Sequence, residues 1–186
     1  MAQIPDPTDS LKGEARELFD RMAAVRAYAE GRSQLGDVYV AMFNNPGVAT
    51  KVGALGEHLR FHATLPDEVR ETVIMRFSYK QGFVYEWAHH TRPSKLAGLS
   101  QDVIDSLATG NISSIESDTI RTTVEIVDAI LAKKSIPEDL QGRFVAMYGV
   151  SGLVEVVALC GLYSLMGYMT TAFAIKIEEG LPQAPF

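Results

Sequence analysis

Apolar residues return at helical spacing along almost the whole chain. After Ser10, a reasonable N-cap, Leu11, Leu18, Phe19, Met22 and Val25 recur at intervals that place them on one helix face, and Gly31 closes the predicted helix. A short helix over 37–43 runs into Asn44-Asn45-Pro46-Gly47, a dense turn signal. The next helix, 48–61, carries Val52, Leu55 and Leu59 with a Gly53/Gly56 pair suited to close helix approach. Pro66 fits the first position of a further helix, where its missing N–H is not needed, and Asp67 and Glu68 complement the positive end of the dipole. That helix has an apolar line of Val69, Val73, Ile74 and Phe77, which leaves Glu71 off centre, facing solvent or a cleft. Gln81-Gly82 interrupts the pattern, and a helix follows from Phe83 to Leu96, with Pro93 expected to bend it or end it early. Ser100 caps a helix over 101–109, Asn111 to Ser114 reads as a loop, Ile115 to Ala132 is amphipathic, and Pro137 starts another helix.

The stretch from Phe144 to Ile177 is different, because Glu155 is its sole charge before Lys176. About 20 apolar residues suffice to cross a bilayer. Here Glu155 in the first half, scattered Gly149, Gly152, Gly161 and Gly167, and polar Ser164, Thr170 and Thr171 favour a buried or interface helix over a membrane span. No run alternates convincingly enough for a strand, so the fold class is all-α. Residues 1–9, with Pro5 and Pro7, read as an extended arm, 10–180 as one helical domain, and 181–186 as an extended tail.

Composition narrows the function. The 186 residues suffice for one well-cored domain. A hydrophobic share of 47% and a mean hydropathy of +0.05 lie at the apolar end for a soluble protein, which points to surface hidden in an oligomer. A net charge of -6 with no Lys/Arg cluster argues against nucleic acid and against an anionic membrane surface as partners. The single cysteine, Cys160, excludes an intramolecular disulfide, a thiolate zinc site and a C-x-x-C pair, and fits a reducing cytoplasm. The N-terminus has no basic region followed by an apolar run, so no secretory signal is expected.

The densest chemistry lies between Leu65 and Leu99. Tyr85, Glu86, Trp87 and His90 form a Y-E-W-x-x-H run, and positions i and i+4 of a helix share a face, so the Glu86 carboxylate and the His90 imidazole are expected to be neighbours. A carboxylate there orients the ring and sets its tautomer, as a general acid or base near neutral pH requires. Glu71 lies one helix earlier, beside Arg70. His89 points away from His90 and reads as surface or packing. His58 and His62 form another i,i+4 pair, which His90 and Glu86 could complete into a metal site, but no H-E-x-x-H signature is present and no metal is expected.

The order Leu65-Pro66, Arg70-Glu71, Tyr85-Glu86-Trp87 with His90, and Ala97-Gly98-Leu99-Ser100 resembles the carboxymuconolactone decarboxylase family, the wider group that includes alkylhydroperoxidase D. Val154-Glu155, Gly161-Leu162-Tyr163 and Leu181-Pro182 look like the second half of the longer members, so the resemblance spans most of the chain from about Pro46 onward. It implies an alkylhydroperoxidase D-like helical bundle, oligomeric as a trimer or a multiple of one. In the alkylhydroperoxidase branch a C-x-x-C pair starts the helix, a histidine follows four residues later, and a glutamate sits on the preceding helix. Phe83 and Glu86 occupy the places of those cysteines here, while His90 and Glu71 match the histidine and the glutamate. A thiol peroxidase would then depend on Cys160, a poor substitute in an apolar run.

The decarboxylase branch converts 4-carboxymuconolactone to the β-ketoadipate enol-lactone, and the unsaturated lactone itself accepts the electrons released with CO2, so no cofactor is implied. On this resemblance His90 is proton donor or electrostatic stabiliser, Glu86 tunes it, Glu71 is a second acid/base, and Tyr85 or Trp87 walls the pocket. Arg70, Arg76 and Arg92 are the candidates to grip a substrate carboxylate bidentately. A small-molecule substrate is the expected ligand. A non-catalytic, small-molecule-binding oligomer is the alternative reading.

Overall fold

The computed structural model describes residues 4–30, 35–109 and 111–186, with side chains except at 26–30. Among the described residues the regular structure is helical throughout: α1 (Gly13–Glu30), α2 (Asp37–Met42), α3 (Pro46–Phe61), α4 (Asp67–Gln81), α5 (Val84–Leu96), α6 (Gln101–Thr109), α7 (Asp118–Leu131) and α8 (Glu138–Ala172), with 3-10 turns at Thr8–Ser10 and Ile112–Ser114. The expected helix end at Gly31 lies outside the described residues.

Several boundaries differ from the pattern for local reasons. Ser10 does not cap α1; its hydroxyl donates to the Pro7 carbonyl inside the 3-10 turn, and extended Leu11 separates that turn from the helix. Asn45 caps α3 by accepting from the Val48 N–H, so the helix begins at Pro46. Pro66 is itself the N-cap of α4, with ψ 150, rather than its first helical residue. Ser117 caps α7, which starts three residues later than the amphipathic pattern. Pro93 sits inside α5 without ending it: the helix continues to Leu96, and the Thr91 and Ser94 hydroxyls donate to the Trp87 and His90 carbonyls around it.

The organising element is α4. It packs against α5, α6, α7 and α8, and every residue from Val69 to Ser78 is buried. The expectation that Glu71 faces solvent or a cleft is therefore corrected: it is enclosed. The polar residues of α4 are tolerated inside because each has a partner: Arg76 makes a bidentate pair with Asp128 of α7 at 2.8 and 2.6 Å and reaches the Leu107 carbonyl at 3.3 Å. Val73, Ile74 and Phe77 join the larger core with α1, α2, α3 and α8, while Met75 enters a second core with Trp87, Leu99, Ile104, Leu107 and Val124. Gly82, at φ 68, ends α4 in the left-handed conformation that side chains resist, and the chain turns directly into α5.

The apolar run is long enough to cross a membrane by length and composition. In the fold it is broken at Gly149 (φ 69, ψ 175), and its inner face packs on α3, α4 and α7. Glu155 is spent on backbone, accepting from the Thr64 and Leu65 N–H groups ahead of α4 at 2.9 to 3.0 Å. The tail is extended, yet Phe186 packs edge-on against Trp87 and Tyr79, closing the second core.

Candidate active site

Where α4, α5 and α8 meet, three side chains form a hydrogen-bonded chain. Glu71, from the middle of α4, is fully buried, and its Oε2 lies 2.8 Å from Nδ1 of His90 on α5. The other ring nitrogen, Nε2, is 2.9 Å from the Tyr163 hydroxyl on α8. An ionised Glu71 only accepts, so Nδ1 carries a proton, and a neutral His90 accepts from Tyr163 at Nε2. Burial pushes the Glu71 carboxyl up, but the opposing pull of His90, then of Arg70 and Arg60, outweighs it and holds the group below the ordinary carboxylate range. Tyr163 is the reverse case: desolvation, followed by the nearby Tyr39 and Glu71, keeps its phenol well above its usual value.

His90 and Tyr163 open onto a cavity of about 50 Å³, also lined by Gly36, Val38, Tyr39, Arg60, Tyr85, Glu86, His89 and Met166. Its walls therefore come from α2, α3, α5 and α8. At the wall Tyr85 stacks on His89, ring centroids 4.1 Å apart, and both meet Glu178 of the C-terminal segment, His89 Nε2 at 2.7 Å and the Tyr85 hydroxyl at 3.4 Å.

Glu86 does not pair with His90. The two share the cavity, but both nitrogens of His90 are already engaged, by Glu71 and Tyr163, so helical spacing set proximity without setting the bond. Glu86 is only 3% exposed; its Oε1 lies 3.4 Å from the Thr170 hydroxyl, and Oε2 has no hydrogen-bond partner. Burial pushes its carboxyl up to about 7.

The remaining sequence candidates divide. Tyr85 is on the cavity wall, whereas Trp87 faces the second core and Phe186. Arg70 binds Asp67 at 2.7 Å, the Arg60 carbonyl at 3.0 Å and Glu71 at 3.2 Å, so it steadies Glu71 from behind rather than lining the cavity. Arg76 is committed to Asp128. Arg92 lies on the exposed side of α5, away from the cavity lining. His58 and His62 are exposed at the end of α3, and among the described residues no three His, Cys, Asp or Glu side chains converge as a metal site would require. His89, expected to serve surface or packing, is at the cavity. Cys160 is buried, its thiol pushed up to about 12 by desolvation, the opposite of a reactive thiolate.

Besides His89, the cavity's polar residues Tyr39, Arg60 and Tyr163 are ones the sequence does not mark as site residues. Tyr163 belongs to a Gly-Leu-Tyr run recognisable only through the resemblance, and Arg60 lies in the last turn of α3 between Leu59 and Phe61 with nothing local to mark it.

No family model and no curated protein matches the sequence. Solved structures do resemble the fold. The debrominase Bmp8 has a TM-score of 0.72 at 15% identity, covering 91% of this chain and 90% of its own, both without ligand and as a cysteine-to-alanine variant in complex with 2,3,4-tribromopyrrole. ATU0492 from Agrobacterium tumefaciens, a protein of unknown function linked by name to antioxidant defence and AhpD, has a TM-score of 0.65 at 19% identity, covering 74% of this chain and 94% of its own. The chain therefore has an AhpD-like, all-helical fold.

Proposed function

We propose that the protein is a cofactor-independent acid/base enzyme, a carbon–carbon lyase of the carboxymuconolactone decarboxylase type acting on a small carboxylated lactone. The observation that carries this reading is the Glu71–His90–Tyr163 chain ending at a cavity with Arg60 on its wall. Arg60 holds a substrate carboxylate in place of Arg70, Arg76 and Arg92. The bond to the departing CO2 breaks, and its electron pair enters the unsaturated lactone as a dienolate. With His90 as imidazolium, Nε2–H donates to the Tyr163 oxygen and the phenolic proton is aimed at the ring carbon. As Tyr163 delivers that proton it takes the one on Nε2, leaving a neutral imidazole held by Glu71 and reloaded from solvent. A raised phenol suits this coupled transfer, because a free tyrosinate never accumulates.

A peroxidase reading has less support, since the buried, high-pKa Cys160 is a poor nucleophile. The ring compound bound to the like-folded debrominase supports a small cyclic ligand for this architecture. Self-association accompanies the reading. Val150, Val154 and Val157 expose 65, 61 and 49% of their surface along one face of α8, an apolar stripe suited to a second copy of the chain.

The test is an assay of purified protein with 4-carboxymuconolactone, following substrate loss and CO2 release. Turnover that disappears in a folded His90→Ala variant supports the reading. No turnover by the wild type, or full activity in His90→Ala, removes it.

A further inference from the structure

Glu86 is the acid at this cavity that the proton relay leaves unused. It stands in the first turn of α5, buried. Thr170 has a single hydroxyl proton to share between the Gly167 carbonyl at 3.0 Å and Glu86 Oε1 at 3.4 Å, so it solvates the carboxyl poorly. Oε2 has no partner, and among the described residues no Lys, Arg or His forms an ion pair with Glu86. Buried without a counter-charge, and with only its own backbone N–H and the shared Thr170 hydroxyl to stabilise the charged form, the carboxylate is disfavoured, which leaves the neutral acid. A neutral acid on the cavity wall with one oxygen left without a protein partner is a hydrogen-bond group that a bound ligand can satisfy.

We infer that Glu86, as the neutral carboxylic acid, donates a hydrogen bond to the carbonyl oxygen of the bound substrate, where negative charge gathers as the dienolate forms. This rests on the acid/base reading above and assigns Glu86 a part separate from the His90 relay. It also names the ligand class: an α,β-unsaturated lactone or related carbonyl compound able to carry charge on that oxygen. No bond to Glu86 is made or broken, and its proton stays on the carboxyl while the hydrogen bond strengthens in the transition state. An apolar site that keeps a carboxyl neutral near pH 7 makes such a donor possible.

The other titratable groups around the cavity are Tyr39, Arg60, Tyr85, His89, His90 and Tyr163, with Glu71 behind His90. None of them is replaced by substituting glutamine for Glu86, which keeps an N–H donor and cannot titrate.

Two arms test the inference. In the first, 2(5H)-furanone carrying a ¹³C carbonyl is added to the full-length protein below pH 7, and its carbonyl stretch is followed by infrared difference spectroscopy. A shift to lower frequency in wild type and Glu86→Gln, absent in Glu86→Ala, is expected; no shift in the wild type, or an equal shift in Glu86→Ala, overturns the inference. This arm needs no turnover, so it survives a failure of the decarboxylase assay. In the second, kcat on 4-carboxymuconolactone falls roughly 100-fold in Glu86→Ala with KM little changed, as for loss of one oxyanion donor. Glu86→Gln loses far less and lacks the wild-type decline above about pH 7. Equal damage in both variants with the same pH profile as wild type overturns the donor role.

Discussion

The hydroxyl of Tyr163 lies 2.9 Å from Nε2 of His90, across 73 residues of sequence and between two helices. With Glu71 on the opposite nitrogen, this contact fixes the imidazole at both ends, so the ring has one tautomer and one orientation when neutral. A proton entering at the tyrosine edge therefore has a defined path inward, and Tyr163, rather than His90 alone, presents the relay to the cavity.

Tyr163→Phe separates these two roles. The ring remains to pack, the hydroxyl is lost, and His90 keeps Glu71. Activity on the lactone should fall about 10²- to 10⁴-fold, the usual weight of one acid/base group, with an unchanged helical circular dichroism spectrum. Activity within twofold of wild type would place proton delivery on another residue.

Glu71 ties the site to folding. Its carboxyl is held below the ordinary carboxylate range despite burial, so its contribution to stability is present above about pH 4.3, the unfolded value, and is lost as pH falls through the lower folded value. Glu71→Ala breaks a buried network and leaves Arg70 with Asp67 and the Arg60 carbonyl. Urea denaturation at neutral pH should show a loss of about 3 kcal/mol, shrinking in acid as the wild type loses the same contribution. A difference that stays constant into acid would show that Glu71 is not ionised in the fold.

How far the sequence reached depends on whether a feature is local. Helix positions followed from spacing and caps, and Gly82 and Ser100 marked ends and starts because turn chemistry is written within a few residues. The surroundings of α4 were not visible, since its arginines and Glu71 look exposed until Asp128, 52 residues from Arg76, and His90, 19 residues from Glu71, arrive to pair with them. The Glu86–His90 spacing predicts neighbours, and both line the cavity, but the hydrogen-bond partners of His90 are Glu71 and Tyr163, because a side-chain partner is chosen by all the elements that converge, here α4 and α8 as well as α5. Tyr163 sits in a run of apolar residues where a tyrosine reads as packing.

Cys160 offers a control. It is buried in the larger core with its thiol pushed up to about 12, so Cys160→Ser should leave lactone turnover within about twofold while costing roughly 1–3 kcal/mol for a hydroxyl in an apolar site. Neither form should reduce peroxide with a thiol reductant. Peroxide turnover by the wild type that vanishes in Cys160→Ser would restore the thiol chemistry disfavoured above.

The stripe on α8 leads to a separate expectation. Val150, Val154, Val157 and exposed Gly161 follow one another at helical spacing, with Tyr168 two turns on, and the face they form is the outward side of a helix whose other side carries Val156, Leu159 and Met166 into the core. If it seats a second copy, Val150→Lys with Val154→Lys should shift the sedimentation coefficient to that of a 20.3 kDa monomer. Both positions are solvent-facing in one chain, so monomer stability should change by no more than about 0.5 kcal/mol per site. An unchanged sedimentation coefficient, whether monomeric or oligomeric in the wild type, would show that this face is not an interface.

Glu86 predicts a pH dependence opposite in sign to that of Glu71. Burial pushes its carboxyl up to about 7, whereas an unfolded glutamate titrates near 4.3, so between those values the folded chain keeps a proton that the unfolded chain has released. Stability then falls as pH rises through this window and levels off above it. The full change is on the order of 3 kcal/mol. Glu86→Gln removes the titration without removing the side chain, so relative to wild type it should gain about that much between about pH 4.5 and pH 8. Urea denaturation of both proteins across this range measures the difference. A constant offset would mean that Glu86 ionises as it does in water, which would also remove the neutral donor from the site.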